Sequence, residues 1–128
     1  MAFSTRQLFL IDGLGAVLTA TLLSQVLVRW QTLFGVPAAV LYALAGVAAC
    51  FAVYSLGCYL LLREGHARYL RAIAIANTAY CLVTLGLLAY LPDISWLGIA
   101  YFTGEIIIIL LLVNLEFRKA AEPEASAA

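Results

Sequence analysis

The sequence predicts an all-α protein, a transmembrane antiparallel four-helix bundle with both termini on the cytoplasmic side. Three observations lead there. Apolar residues make up 66% of the 128, charged residues only 11%, and the mean hydropathy is +1.05, well beyond the roughly 45–50% apolar share of soluble domains. Four apolar runs, at about 8–28, 36–62, 72–91 and 96–115, are each long enough to cross a hydrocarbon core of roughly 30 Å as a helix. The basic residues are distributed unequally between the two sides that these runs define.

The first run exceeds the apolar core of a secretory leader, and Ser24-Gln25-Val26-Leu27-Val28-Arg29-Trp30 offers no small-residue cleavage site, so it is expected to stay as an anchor. Arg29 to Gly35 then interrupts the hydropathy, and Pro37 stands near the start of the second run, where a missing N–H does little harm. Arg63-Glu64-Gly65-His66-Ala67-Arg68 separates the second run from the third, and Pro92-Asp93 the third from the fourth. Links this short make neighbouring helices antiparallel. The chain is accordingly one helical domain over residues 1–119, followed by a small, polar, proline-containing tail at 120–128 that is expected to be disordered.

An even number of spans puts both termini and the middle loop on one face. Arg6, Arg63, Arg68, Arg71, Arg118 and Lys119 fall on that face and Arg29 alone on the other, which the positive-inside rule makes cytoplasm and exterior of a bacterial inner membrane. Aromatic side chains follow the same frame. Trp30, Phe34, Tyr90 and Trp96 mark the outer boundary, and Phe3, Phe9, Tyr59, Tyr69 and Phe117 the inner one.

Glu105 is the costliest residue in the chain. It stands near the middle of the fourth run, directly before Ile106-Ile107-Ile108-Ile109, and an ionisable group there costs about 2.5–3.5 kcal/mol unless it faces protein or water, finds a partner or stays protonated. At 1.5 Å per residue, Asp12 lies roughly 6 Å inside the cytoplasmic edge, Asn77 roughly 8 Å, Tyr54 roughly 12 Å and Glu105 roughly 15 Å. If these groups face one another they outline a polar pocket in the cytoplasmic half that ends at the Glu105 carboxyl. Helical spacing selects its members: Asn77, Tyr80, Cys81 and Thr84 on the third span, Cys50, Tyr54 and Cys58 on the second, Tyr101 and Glu105 on the fourth, and the ladder Asp12, Ala16, Ala20, Ser24 on the first. The candidate ion- or substrate-binding residues are therefore Glu105, Asp12, Asn77, Tyr101, Tyr54 and Tyr80.

Several chemistries are excluded by what is missing. Net charge is zero without a basic stripe, so nucleic acid is not an expected partner. Cys50, Cys58 and Cys81 form no C-x-x-C, and His66 is the single histidine, so no thiolate or bis-histidine metal centre is expected. No cofactor signature and no nucleophile elbow occurs. The segment Asp12-Gly13-Leu14-Gly15-Ala16 resembles the opening of the CDP-alcohol phosphotransferase motif, but Val17 replaces the arginine and the downstream aspartates are missing, so that metal chemistry is not expected.

In plan the chain resembles the small multidrug transporters, although their membrane glutamate is in the first span. Taken together, Phe9-Leu10-Ile11-Asp12-Gly13, Phe34-Gly35-Val36-Pro37, Ala74-Ile75-Ala76-Asn77 and Gly104-Glu105-Ile106 resemble small four-span proteins of bacterial membranes, a resemblance that implies no activity. Two functions are compatible with these residues, neither of them enzymatic. The chain is either a structural or accessory membrane subunit whose polar groups satisfy each other or a partner helix, or a small proton-coupled permease or carrier with Glu105 as its midplane site. Besides the bilayer, the expected partner is a second copy or another membrane protein.

Overall fold

In the computed structural model, which describes residues 4–64 and 66–121, the described chain is helical apart from short turns, with no strand among the described residues. Helix α1 covers Thr5–Thr21 and continues as a π-helical segment, Leu22–Leu27; α2 is the short Gln31–Phe34, α3 is Ala38–Leu61, α4 is His66–Tyr90 and α5 is Trp96–Ala120. Four helices, α1 with its extension, α3, α4 and α5, are long and apolar enough to cross a membrane. Each of α1, α4 and α5 outruns its apolar stretch, because capping and polar residues continue a helix past the point where hydropathy falls. The tail expected to be disordered lies, from 122 on, outside the described residues, and Ala120 before it is helical and buried.

Local chemistry explains the boundaries. Ser4 opens α1 with a capping box: its hydroxyl accepts from the Gln7 N–H at 3.1 Å while the Gln7 side chain accepts from the Ser4 N–H at 2.9 Å. Near the other end of α1, Thr21 donates to the Val17 carbonyl and Ser24 to the Ala20 carbonyl. Hydroxyls placed on carbonyls four residues back compete with the helical ladder, and the turn widens to π geometry there. Gly35 ends α2 at φ 74°, the left-handed region that glycine enters without penalty. Ser95 then joins two elements. Its hydroxyl donates to the Leu33 carbonyl at 2.6 Å and accepts from the Gly98 N–H at 3.2 Å, which caps α5.

The spans pack as two close pairs, α1 against α3 and α4 against α5, with far sparser contact between the pairs. Gly13 makes the first pairing possible, since a methyl group at that position would lie 2.6 Å from the Leu56 side chain. The second-span ladder expected to face inward divides: Cys50 is exposed, Tyr54 half-buried and Cys58 buried. The buried stripe of α3 runs through Ala45, Ala48, Ala52 and Ser55 instead. Small side chains let α1 approach along this stripe, and the bulkier tyrosine is turned aside.

Two apolar clusters close the ends of the molecule. Leu23, Leu27, Val36, Leu41, Leu44 and Phe102 gather at one end, and Leu8, Phe9, Cys58, Leu70, Ile73 and Ala120 at the other. At the latter end Arg6 donates to the Tyr59 carbonyl at 2.9 Å with its guanidinium over the Tyr59 ring, and Arg71 donates to the Ala120 carbonyl. The outer surface is apolar, with Val53, Leu60, Leu82, Ile108 and Leu111 all exposed. A surface of this kind suits acyl chains rather than water.

Candidate functional site

Between the two apolar clusters the loosely joined helix pairs leave a cavity of about 340 Å³, within the range of small-molecule sites. Its wall carries Asp12, Thr19, Asn77, Tyr80, Tyr101 and Glu105 and is otherwise apolar, with Phe51, Ile109 and Leu112 among the lining side chains and no lysine or arginine. Leu18 on α1 and Ile108 on α5 line it and are also exposed, so the opening lies between these two helices and faces sideways out of the molecule. Gly15 and Gly104 flank it, and a methyl group at either would meet nothing within 4 Å.

Five of the six candidate residues thus share one cavity. The sixth does not: Tyr54 turns away and donates to the Tyr69 carbonyl at 3.0 Å. Helix α3 presents its small-residue stripe to the interior, and a tyrosine one position off that stripe is carried round to the side.

The acidic side chains fall into two groups. In the first, Tyr80 donates its phenolic hydrogen to Glu105 Oε1 at 2.8 Å, and Tyr101, one turn before Glu105 on α5, lies against the same carboxyl. The partner is therefore mainly a phenol from α4; the Asn77 amide is engaged with Asp12. Glu105 Oε2 is buried and receives no hydrogen bond. The phenols are held by ring contacts, Tyr80 edge-on to Phe51 at 6.1 Å and Tyr101 edge-on to Phe102 at 5.0 Å.

In the second group Asn77 Nδ2 donates to Asp12 Oδ1 at 3.1 Å and to Oδ2 at 3.3 Å, and the Ser55 hydroxyl donates to Oδ2 at 3.4 Å. Asp12 needs neither interfacial water nor Arg6, whose guanidinium is engaged with Tyr59. The Glu116 carboxyl from α5 adjoins Asp12 and Asn77. It is wholly buried, at 0% exposure.

Sequence reasoning missed Glu116 and Ser55. Hydropathy placed the end of the fourth span at 115, so Glu116 beside Arg118 and Lys119 read as a polar flank. Spacing held the missing signal: eleven residues are just over three turns, which sets Glu116 on the same face of the helix as Glu105. Ser55 was marked in the same way, as the polar member of the Ala45, Ala48, Ala52 stripe.

Among the described residues no three of His, Cys, Asp and Glu gather as metal ligands. What the arrangement can do chemically is to present carboxyl oxygens to a positive charge while apolar walls take up an apolar body. Compared with known proteins, the chain matches no family model, no curated protein and no solved structure.

Proposed function

We propose that this protein is a small non-enzymatic carrier of lipophilic monocations in the bacterial inner membrane. It binds its substrate at Glu105 and exchanges it for protons. One observation carries the reading: in the wall of a largely apolar cavity, a buried carboxyl has one oxygen held by Tyr80 and the other without a donor. A ligand with a cationic centre and an apolar body satisfies both halves of that wall. The sideways opening between α1 and α5 suits a solute that partitions into lipid before it binds.

In this reading the four spans are antiparallel, and the face bearing Arg6, Arg63, Arg68, Arg71, Arg118 and Lys119 is cytoplasmic, together with both termini. The Asp12 group then lies in the cytoplasmic half and Glu105 nearer the midplane, where carriers place their sites. So small a cavity within one copy favours a homodimer as the transporting unit.

A second reading, an accessory subunit, is favoured by the Asp12 group, whose carboxylate is already satisfied by Asn77 and Ser55 without any ligand. One experiment separates the two. Tetraphenylphosphonium binding is measured on protein in nanodiscs, and its pH-gradient-driven movement in proteoliposomes, for wild type and Glu105→Gln. Loss of a charged contact worth about 1.5–3 kcal/mol weakens binding roughly 10- to 100-fold and stops coupled movement, with helix content unchanged. Equal binding by both proteins, or none by wild type, removes the carrier reading. A different membrane protein co-purifying in mild detergent would then favour the subunit.

A further inference from the structure

We infer that Glu116 and Asp12 hold one proton between them, with Glu116 as the donor, and that this pair is a second cation-responsive site, separate from Glu105. Glu116 is wholly buried, and neither of its oxygens receives a hydrogen bond. A carboxylate ion in such a place has only the Asn77 amide near it, and that amide already bonds Asp12, whereas the neutral acid is itself a donor and needs only an acceptor. That acceptor is at hand: the Asp12 carboxyl lies against it. Asp12 has the opposite surroundings, taking two contacts from the Asn77 amide and one from the Ser55 hydroxyl. Three donors converge on Asp12 once Glu116 is included, which is the environment of an ion. Two adjoining carboxyls do not both ionise in an apolar interior, and the asymmetry of donors assigns the proton to Glu116.

The surroundings of the pair come from every neighbouring helix. Helix α1 supplies Asp12 itself, α3 supplies Ser55 with the buried Cys58 thiol one turn on, and α4 supplies Asn77. Nearer that end of the molecule, α4 also bears His66 and Arg71, the latter on the Ala120 carbonyl, and α5 bears Lys119 one turn beyond Glu116.

Asp12 lines the cavity and Glu116 does not. A cation arriving at Asp12 supplies the positive charge that the shared proton supplies in its absence. The shared proton then leaves by way of Asp12, which lines the cavity, and the bound cation balances the second carboxylate, so one proton leaves the pair for each monovalent cation that enters. This exchange rests on the cavity's taking a cation; the existence of the pair does not.

Infrared spectroscopy of the protein in nanodiscs tests the pair directly. Wild type minus Glu116→Gln is expected to contain a carboxylic-acid C=O band that wild type minus Glu105→Gln lacks, and Asp12→Asn is expected to shift that band without abolishing it. If only Asp12→Asn removes it, or if Glu116→Gln leaves the acid region unchanged, the assignment is overturned. Should Glu116→Gln fail to keep its helix content by circular dichroism, the Asp12→Asn shift alone decides. The exchange is read by proton release on adding tetraphenylphosphonium: wild type is expected to release one proton more per bound cation than Glu116→Gln that still binds. Equal release by the two proteins refutes the exchange. Absence of binding in wild type refutes the cavity reading while the acid band still decides the pair.

Discussion

Glu105 and Glu116 stand on one face of the same helix, about 16 Å apart along its axis, yet the protein treats them differently. Glu105 is on the cavity wall with one phenolic donor and one oxygen left open. Glu116 is off that wall and adjoins Asp12, in a group whose amide and hydroxyl donors bond the other carboxyl. The first arrangement leaves an oxygen open to the cavity; the second holds a proton among its own members until a cation reaches Asp12. Burial alone therefore does not define a ligand site in this molecule, because Glu116 is the more buried of the two. Access to the cavity together with an unserved oxygen is what separates them.

If the difference is real, removing a donor should be far worse at Asp12 than at Glu105. Asn77→Leu strips Asp12 of its principal donor and leaves an ion buried, so we expect a stability loss of about 3 kcal/mol, read from denaturant unfolding in micelles. Tyr80→Phe takes one hydrogen bond from a carboxyl that already stands half unserved, and about 1 kcal/mol is expected in the same assay. Equal losses would mean that the two carboxyls are held in the same charge state, and the contrast drawn above would dissolve.

The fold was far more legible in the sequence than the site was. Apolar runs separated by Arg29 to Gly35, by the Arg63 to Arg68 segment and by Pro92-Asp93 identify four spans, because hydropathy reports directly on where a helix can cross a bilayer. Position along each helix was legible as well, since it needs only a fixed rise per residue. Azimuth was not: which way α3 turns depends on Gly13 fitting against Leu56 and on the small stripe ending at Ser55, and those preferences emerge only when two helices are docked. Tyr54 was therefore counted in and Ser55 left out. Glu116 escaped for a different reason, as hydropathy averages over a window and a carboxyl two residues before Arg118 is taken for a flank.

The cavity itself supplies the next test. Gly104 borders it from α5 with open space where a side chain would begin. Gly104→Leu puts a side chain into the cavity from a Cβ that meets nothing within 4 Å and replaces a poor helix former with a good one, so unfolding should be unchanged or slightly harder. Cation binding should weaken about 10-fold, equivalent to about 1.4 kcal/mol. Calorimetric titration with tetraphenylphosphonium reads the affinity, and an unaltered affinity would place the binding site away from the α1 and α5 opening.

The smallest effect is expected at Tyr54, and it bears on the comparison because helical spacing made Tyr54 as good a candidate as Tyr80. Its hydroxyl donates to the Tyr69 carbonyl, outside the cavity, so Tyr54→Phe removes one interhelical hydrogen bond, and such bonds average about 0.6 kcal/mol within membranes. Stability should fall by about that much, while cation affinity and proton release stay at wild-type values. Tyr80→Phe, lowering affinity in the same experiment, then shows that what matters to the ligand is which carboxyl a phenol serves and not how deep it lies. If Tyr54→Phe weakens binding as much as Tyr80→Phe does, the cavity wall extends round α3, and the open and closed carboxyls are parts of a single site.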